Sequence, residues 1–297
     1  MAQPRRIIPG ATHMLTRRAY QRTFRLRPHA DTNEITLYCL AWAADKFGIV
    51  LHAAVFMSNH HHLVLTDPRG VLPDFMRELH RTLTKAMNAS QGQWENLWSA
   101  EHPSVVRLPT EQDVLAKIAY AAANPVAAAL VQSPEQWPGV LLYKPGTTLT
   151  VRRPKAYFDP RGQMPQTVQL RIVPLPGHAG DEAQWASRVH DAVANEARKA
   201  RASVRAQGME FLGPAKVMAK SFLAKAKSYE LKRRINPILA AKDVLVRKAY
   251  LRLERAFRRA YHEALERWRN QGERDVAFPF GTWWMRVHHH AEVLPAP

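Results

Sequence analysis

The chain has a single cysteine in 297 residues, Cys39, and little acid, with 25 Asp and Glu against 43 Lys and Arg. A lone thiol excludes an internal disulfide framework and fits a reducing, cytoplasmic setting. Long apolar runs are also missing. The opening "MAQPRRIIPGATHML" has basic residues but no apolar stretch behind them, so a secretory leader is not expected. The most apolar later stretch, "IAYAAANPVAAALV", is too short and too interrupted to cross a bilayer, so no membrane partner is expected. The shortage of acid leaves a net charge of +18. Charge of that size and sign suggests a polyanionic partner, nucleic acid foremost, and a cytoplasmic, nucleoid-associated location.

The charge is uneven. Residues 1–150 hold 15 Lys and Arg against 11 Asp and Glu, whereas residues 151–297 hold 28 against 14. The shift points to two units, 1–145 and 146–297, joined through "YKPGTTLTVRRPKAYFDPRGQMPQ", where Pro, Gly and Thr punctuate the chain.

In the front unit short strands alternate with helices. Strands are expected at 11–18, 49–57 and 61–66, with Met57, Ser58 and Asn59 turning the last two into a hairpin. A helix is expected over 31–48, with Asp31 and Glu34 as a capping box and Gly48 as its stop. A second runs over 71–90, with Leu72, Phe75, Met76, Leu79, Leu83 and Met87 on one face. After a short strand "SVVRLP" comes a third helix, 110–131, capped by Thr110 with Asp113 and bent or broken at Pro125. This order predicts an α+β fold, a mainly antiparallel sheet with helices packed on one face.

Three consecutive histidines sit at the mouth of the 61–66 strand in "VFMSNHHHLVLTDPRG". Alternate strand residues share a face, so His60 and His62 point together and His61 points away. Two imidazoles on one rigid strand make half a site for a divalent metal, though polar residues at a solvated hairpin end are the plainer reading. Tyr120 and Asn124 stack four apart on the third helix, bringing a hydroxyl that can act as a covalent nucleophile and a carbonyl oxygen suited to a hard cation. A helical tyrosine is more often core, and an asparagine before proline more often a helix end.

The segment "VFMSNHHHLVLTDPRG" resembles the "MPNHxHLL" strand of the HUH single-strand transposases. "YAAANPVAAALVQSPEQWPGVLLY" is similar to their "Y…NPVRAGLV…P…WP…SY" segment, and "RRIIPGATHMLTRRAYQR" to their "R…IPGA.YHVTSRG..R". The three segments cover most of residues 5–143, and the branch they resemble is the REP-associated, insertion-sequence-200-like tyrosine transposases. The resemblance implies a ferredoxin-like catalytic fold. It implies Mg²⁺ or Mn²⁺ held by His60 and His62 with Asn124 assisting, and Tyr120 as the nucleophile. It further implies cleavage of single-stranded or hairpin DNA through a 5′-phosphotyrosine, with a homodimer handling two strands. Arg17 and Arg22 of the first segment then become candidate DNA contacts. The sequence departs from the pattern at Ser58 for proline, at His61 for a hydrophobic residue, and at alanines in place of the arginine and glycine of "NPVRAGLV".

In the back unit, residues 198–269 hold 20 Lys and Arg against 6 Asp and Glu. The stretch from Phe222 to Asn270 reads as two basic amphipathic helices separated at Asn236-Pro237. Leu245, Tyr250, Leu253, Phe257, Tyr261 and Leu265 form the apolar stripe of the second. Lys232, Arg233 and Arg234, then Arg247, Lys248, Arg255, Arg258 and Arg259 are expected to contact phosphates. The aromatics of "FPFGTWWMRVHHHA" are expected to dock the tail, with the final histidines at the surface. Three functions compete on this reading: a metal-dependent DNA strand transferase, a domesticated nucleic-acid-binding protein on the same scaffold, and a metallohydrolase of small phosphoesters. The basic arm disfavours the last.

Overall fold

The structure is a computed structural model that describes residues 4–156, 164–227 and 237–296. Its elements run β1 (Ala11–Arg18), α1 (Ala30–Phe47), β2 (Val50–Phe56), β3 (His60–Asp67), α2 (Leu72–Gln91), β4 (Ser104–Arg107), α3 (Glu111–Ala127) and β5 (Leu141–Leu142). They continue through β6 (Thr148–Arg152), β7 (Thr167–Arg171), α4 (Glu182–Ala206), α5 (Pro214–Met218), α6 (Val244–Asn270) and α7 (Trp284–His289). The main sheet has the order β4-β1-β3-β2-β5, every neighbouring pair antiparallel. With α1 following β1 and α2 following β3, this is the βαββαβ arrangement of ferredoxin-like folds.

Alternation along the strands divides the side chains between two cores. Leu15, Leu51, Phe56, Leu63 and Leu65 face α1 and α2. Met14, Ala53, Val55, Val64 and Val106 face α3 and α4. The expectation of helices on one face alone is therefore corrected. The sheet is apolar on both sides, and water has to be excluded from each. Beyond the main sheet, β6 and β7 pair as a hairpin against α1. Helix α4 lies after residue 145, yet its Trp185, Val189 and Val193 complete the core over α3.

Local signals hold in part. Gly48 ends α1 in the left-handed region at φ 66°, as its lack of a Cβ allows. The Asp31–Glu34 capping box does not form: the N-cap is His29, and Asp31 lies inside the first turn. Fully buried Asp67 accepts from the backbone N–H of Arg69, Val71 and Leu72, so the end of β3 serves the start of α2. Thr110 Oγ1 accepts from Asp113 N as expected. Pro125 does not break α3, which ends at Ala127. There Ala129 N donates to Val126 O and Leu130 N to Pro125 O, a Schellman closure whose left-handed residue is Ala129, φ 53°.

The back unit is less helical than expected. Residues 222–227 are not helical, and Thr23 pairs with Lys225 in a single bridge; 228–236 lie outside the described residues. The second expected helix is α6, but only the later part of its stripe is covered. Phe257 and Tyr261 are buried with Phe278 and Met285, whereas Leu245 and Leu253 are exposed.

Candidate active site

His60 opens β3 and His62 follows on the same face, opposite Arg18 and Thr16 of β1. The two rings meet edge to face, with Nε2 atoms 3.1 Å apart. Each Nδ1 is anchored: His60 on Asn59 Oδ1 at 2.7 Å, and His62 on Thr16 Oγ1 at 2.7 Å. Asn59 is oriented by its Nδ2, which donates to Arg22 O, so its oxygen faces His60 and the His60 proton belongs on Nδ1. With that tautomer His60 Nε2 accepts from His62 Nε2–H, and a divalent cation could take the place of the shared proton. Only a proton or a cation can sit between two such nitrogens. Imidazole nitrogens bind such cations at ~2.1 Å, so two nitrogens this close could share one. Oxygen partners behind both rings are what ligating histidines require. Burial, then the charges of His60, His61, Arg18 and Lys117, hold the His62 pKa well below the usual histidine value, keeping it neutral and available as a ligand.

Helix α3 packs over this end of the sheet and supplies the rest. Asn124 Nδ2 lies 3.3 Å from His62 Nε2. Turning the amide over about its Cγ would bring its carbonyl oxygen to that position. Among the described residues no third His, Cys, Asp or Glu joins the pair. His60, His62 and Asn124 would thus offer two imidazoles and an amide oxygen, a set suited to a divalent ion that accepts nitrogen, Mn²⁺ better than Mg²⁺. Tyr120 stands one turn before Asn124, its ring centroid 5.6 Å from that of His62. It is 45% exposed, so it is not a core tyrosine. Lys117, one turn earlier, places Nζ 5.3 Å from the centre of the Tyr120 ring.

His61 points to the other face, fully buried. It does not pair with a carbonyl. Its Nε2 lies 3.0 Å from His80 Nε2, and its Nδ1 has no hydrogen-bond partner. Burial first, then His60 and Arg17, lower its pKa to about 3, so it is neutral. Arg17 belongs to the same cluster: Nη1 donates to His80 Nδ1 at 2.8 Å and the guanidinium lies over Trp98. Its guanidinium is therefore committed to the α2 side of the sheet.

The other basic candidates are dispersed. Arg22 is half-buried in the turn after β1, at φ 58°. Arg247, Lys248, Arg255 and Arg259 are exposed on α6. Arg258 is turned inward beside Glu254 and departs from the open basic face expected for it. Lys232, Arg233 and Arg234 lie outside the described residues. Sequence reasoning missed Thr16, Asn59, Arg18 and Lys117. Lys117 could have been found from its i, i+3 spacing to Tyr120; the others required the β1–β3 register.

No protein-family model and no curated protein matches the chain. Among solved structures it is similar to a REP-associated tyrosine transposase bound to a REP hairpin. That match has 19% identity over 47% of this chain and 81% of the other, with a TM-score of 0.40. It is also similar to a candidate transposase from Deinococcus radiodurans, at 22% identity over 42% of this chain and 97% of the other, with a TM-score of 0.29.

Proposed function

We propose that the protein is a transposase-like strand transferase that cuts single-stranded or hairpin DNA through Tyr120, assisted by a divalent metal at His60 and His62. The observation that carries this reading is the exposed Tyr120 hydroxyl-bearing ring beside two imidazoles whose Nε2 atoms converge at 3.1 Å. A bound divalent ion would draw charge from the non-bridging phosphate oxygens and orient the scissile bond. His60 and His62 would hold it, with Asn124 as the third donor.

Tyr120 Oη attacks phosphorus in line with the 3′ oxygen. The O–P bond to tyrosine forms as the P–O3′ bond breaks. The tyrosine proton leaves to water, and the departing 3′ oxygen takes one up. Lys117 and Arg18 supply positive charge on this face, where negative charge accumulates in the transition state. The phosphotyrosine ester retains the energy of the original bond, so a 3′-hydroxyl can reverse the step without a nucleotide cofactor. Each chain breaks one strand, and rejoining two strands calls for a homodimer.

The test is a labelled hairpin strand incubated with the full chain and Mn²⁺ or Mg²⁺, followed by denaturing electrophoresis. A covalent adduct is expected, and it should vanish in Tyr120→Phe while binding persists. An adduct that survives in Tyr120→Phe assigns the nucleophile elsewhere. Binding without any adduct in the wild type, across hairpins of different sequence, favours the domesticated binding protein.

A further inference from the structure

On the opposite face of the sheet, and at the other end of β1, a second group of polar side chains has no role in this chemistry. His13 pairs across the sheet edge with Arg107 of β4, five residues along β1 from Arg18. With Arg5, Arg6, Tyr250, Glu254 and Arg258 they line a niche of about 50 Å³ between the sheet edge and α6. Four guanidinium groups surround one carboxylate. Arg107 Nε is buried without a hydrogen-bond partner, and Arg258 Nε, also buried, makes only a long ion pair of 3.9 Å with Glu254 Oε1. His13, 6% exposed, has no partner of proper geometry on Nδ1 although the backbone of Ala11 lies nearby. Three orphaned polar atoms at one small cavity are costly to leave dry, and a ligand oxygen would satisfy them.

The niche adjoins a larger cavity of about 1100 Å³, and the two share Arg5 and Arg258. The larger one is lined in part by Tyr261, Trp283 and Trp284, with Arg247 and His262. Its volume admits more than a single small ion.

We propose that this pair of cavities is a nucleotide-binding site distinct from the Tyr120 centre, with a phosphate in the arginine niche and a base stacked on the aromatic wall. Arginine forks match phosphate geometry, and aromatic faces stack bases without regard to sequence. The ligand is a nucleotide phosphate, from a passing single strand or from a free nucleotide. The strand source rests on the DNA reading above; the niche chemistry does not.

The test uses the full chain carrying Tyr120→Phe, so cleavage plays no part and failure of the nucleophile assignment is read separately. A 12-residue oligothymidylate with 5-iodouracil at one position is photocrosslinked, and the adducts are mapped by mass spectrometry. Crosslinks at Tyr261, Trp283 or Trp284 are expected. Arg258→Gln and, independently, His13→Gln should remove them and weaken binding, by roughly tenfold for the arginine. Arg258→Lys keeps the charge but loses the fork, and should recover only part of the affinity. Competition by thymidine monophosphate at similar affinity identifies a free nucleotide as the ligand; failure to compete identifies the strand. Crosslinks confined to other regions, with unchanged affinity in folded Arg258→Gln and His13→Gln proteins, would overturn the proposal.

Discussion

Three adjacent histidines divide between two faces because a strand turns each residue by half a revolution. His60 and His62 are tied behind by Asn59 and Thr16 and meet each other in front through their Nε2 atoms. Removing either should therefore raise the Mn²⁺ concentration needed for adduct formation and lower its rate by roughly 10–100-fold. Thr16→Val, which touches no substrate, should give a smaller shift in the same metal titration. Unchanged metal dependence in His60→Ala would disprove the ligand assignment. His61 is a packing residue with an unfilled donor. His61→Leu fills the same space beneath Phe56 and Trp98 while transferring the orphaned proton to His80, so its unfolding free energy in urea should stay within about 1 kcal/mol of wild type. His61→Ala leaves a hole there and should cost about 2–4 kcal/mol. Both should form adduct normally once folded.

At the scale of elements, helix α3 carries both the tyrosine and the amide, and its end is under backbone strain. Ala129 occupies the left-handed C′ position of the Schellman closure. Ala129→Gly should relieve the Cβ clash and, after the entropy loss of glycine, raise stability by about 0.5–1 kcal/mol in chemical denaturation. A destabilised variant would mean that the alanine methyl makes a contact worth more than the strain. The strands, the hairpin and the three front helices were legible because period-2 and period-3.6 patterns are local. So was the shared face of His60 and His62. The support of the start of α2 was not, since Asp67 reaches it from a strand five residues before the last donor it accepts from, Leu72 N. Nor was the bend of Arg17 toward His80, 63 residues away. The second apolar layer was hidden for the same reason: α4 stands beyond a charge boundary that suggested separate units, and composition carries no contact information.

For the whole molecule, the buried histidines set the response to acid. His52 sits at the irregularity in the β2–β3 pairing, with its ring between Val173 O and Thr66 Oγ1. Burial lowers its pKa from 6.5 to about 4, and burial followed by Arg107 lowers that of His13 to about 3. The folded state refuses protons that the unfolded state accepts. Their contribution is therefore complete above pH 6.5 and is lost as pH falls from there toward 4 and below. The melting temperature should drop steadily between pH 6.5 and 4, and His52→Gln should flatten part of that slope. A melting temperature that is constant across the interval would contradict neutral burial. No helix among the described residues is long and apolar enough to cross a membrane.

The outer edge of the sheet is closed late. Arg107 N donates to Ile238 O and Ala240 N to Arg107 O, so residues 238–240 pair with the last residue of β4, while Lys242 N donates to Asp113 Oδ1. A ribosome making about 5–20 residues per second emits this cover some 7–26 s after β4 itself. Throughout that interval the nascent sheet presents an open edge able to pair with another chain. Chains interrupted before residue 237 should self-associate, visible as concentration-dependent species in size-exclusion chromatography, whereas the finished chain has its own cap to shield that edge during crowded synthesis.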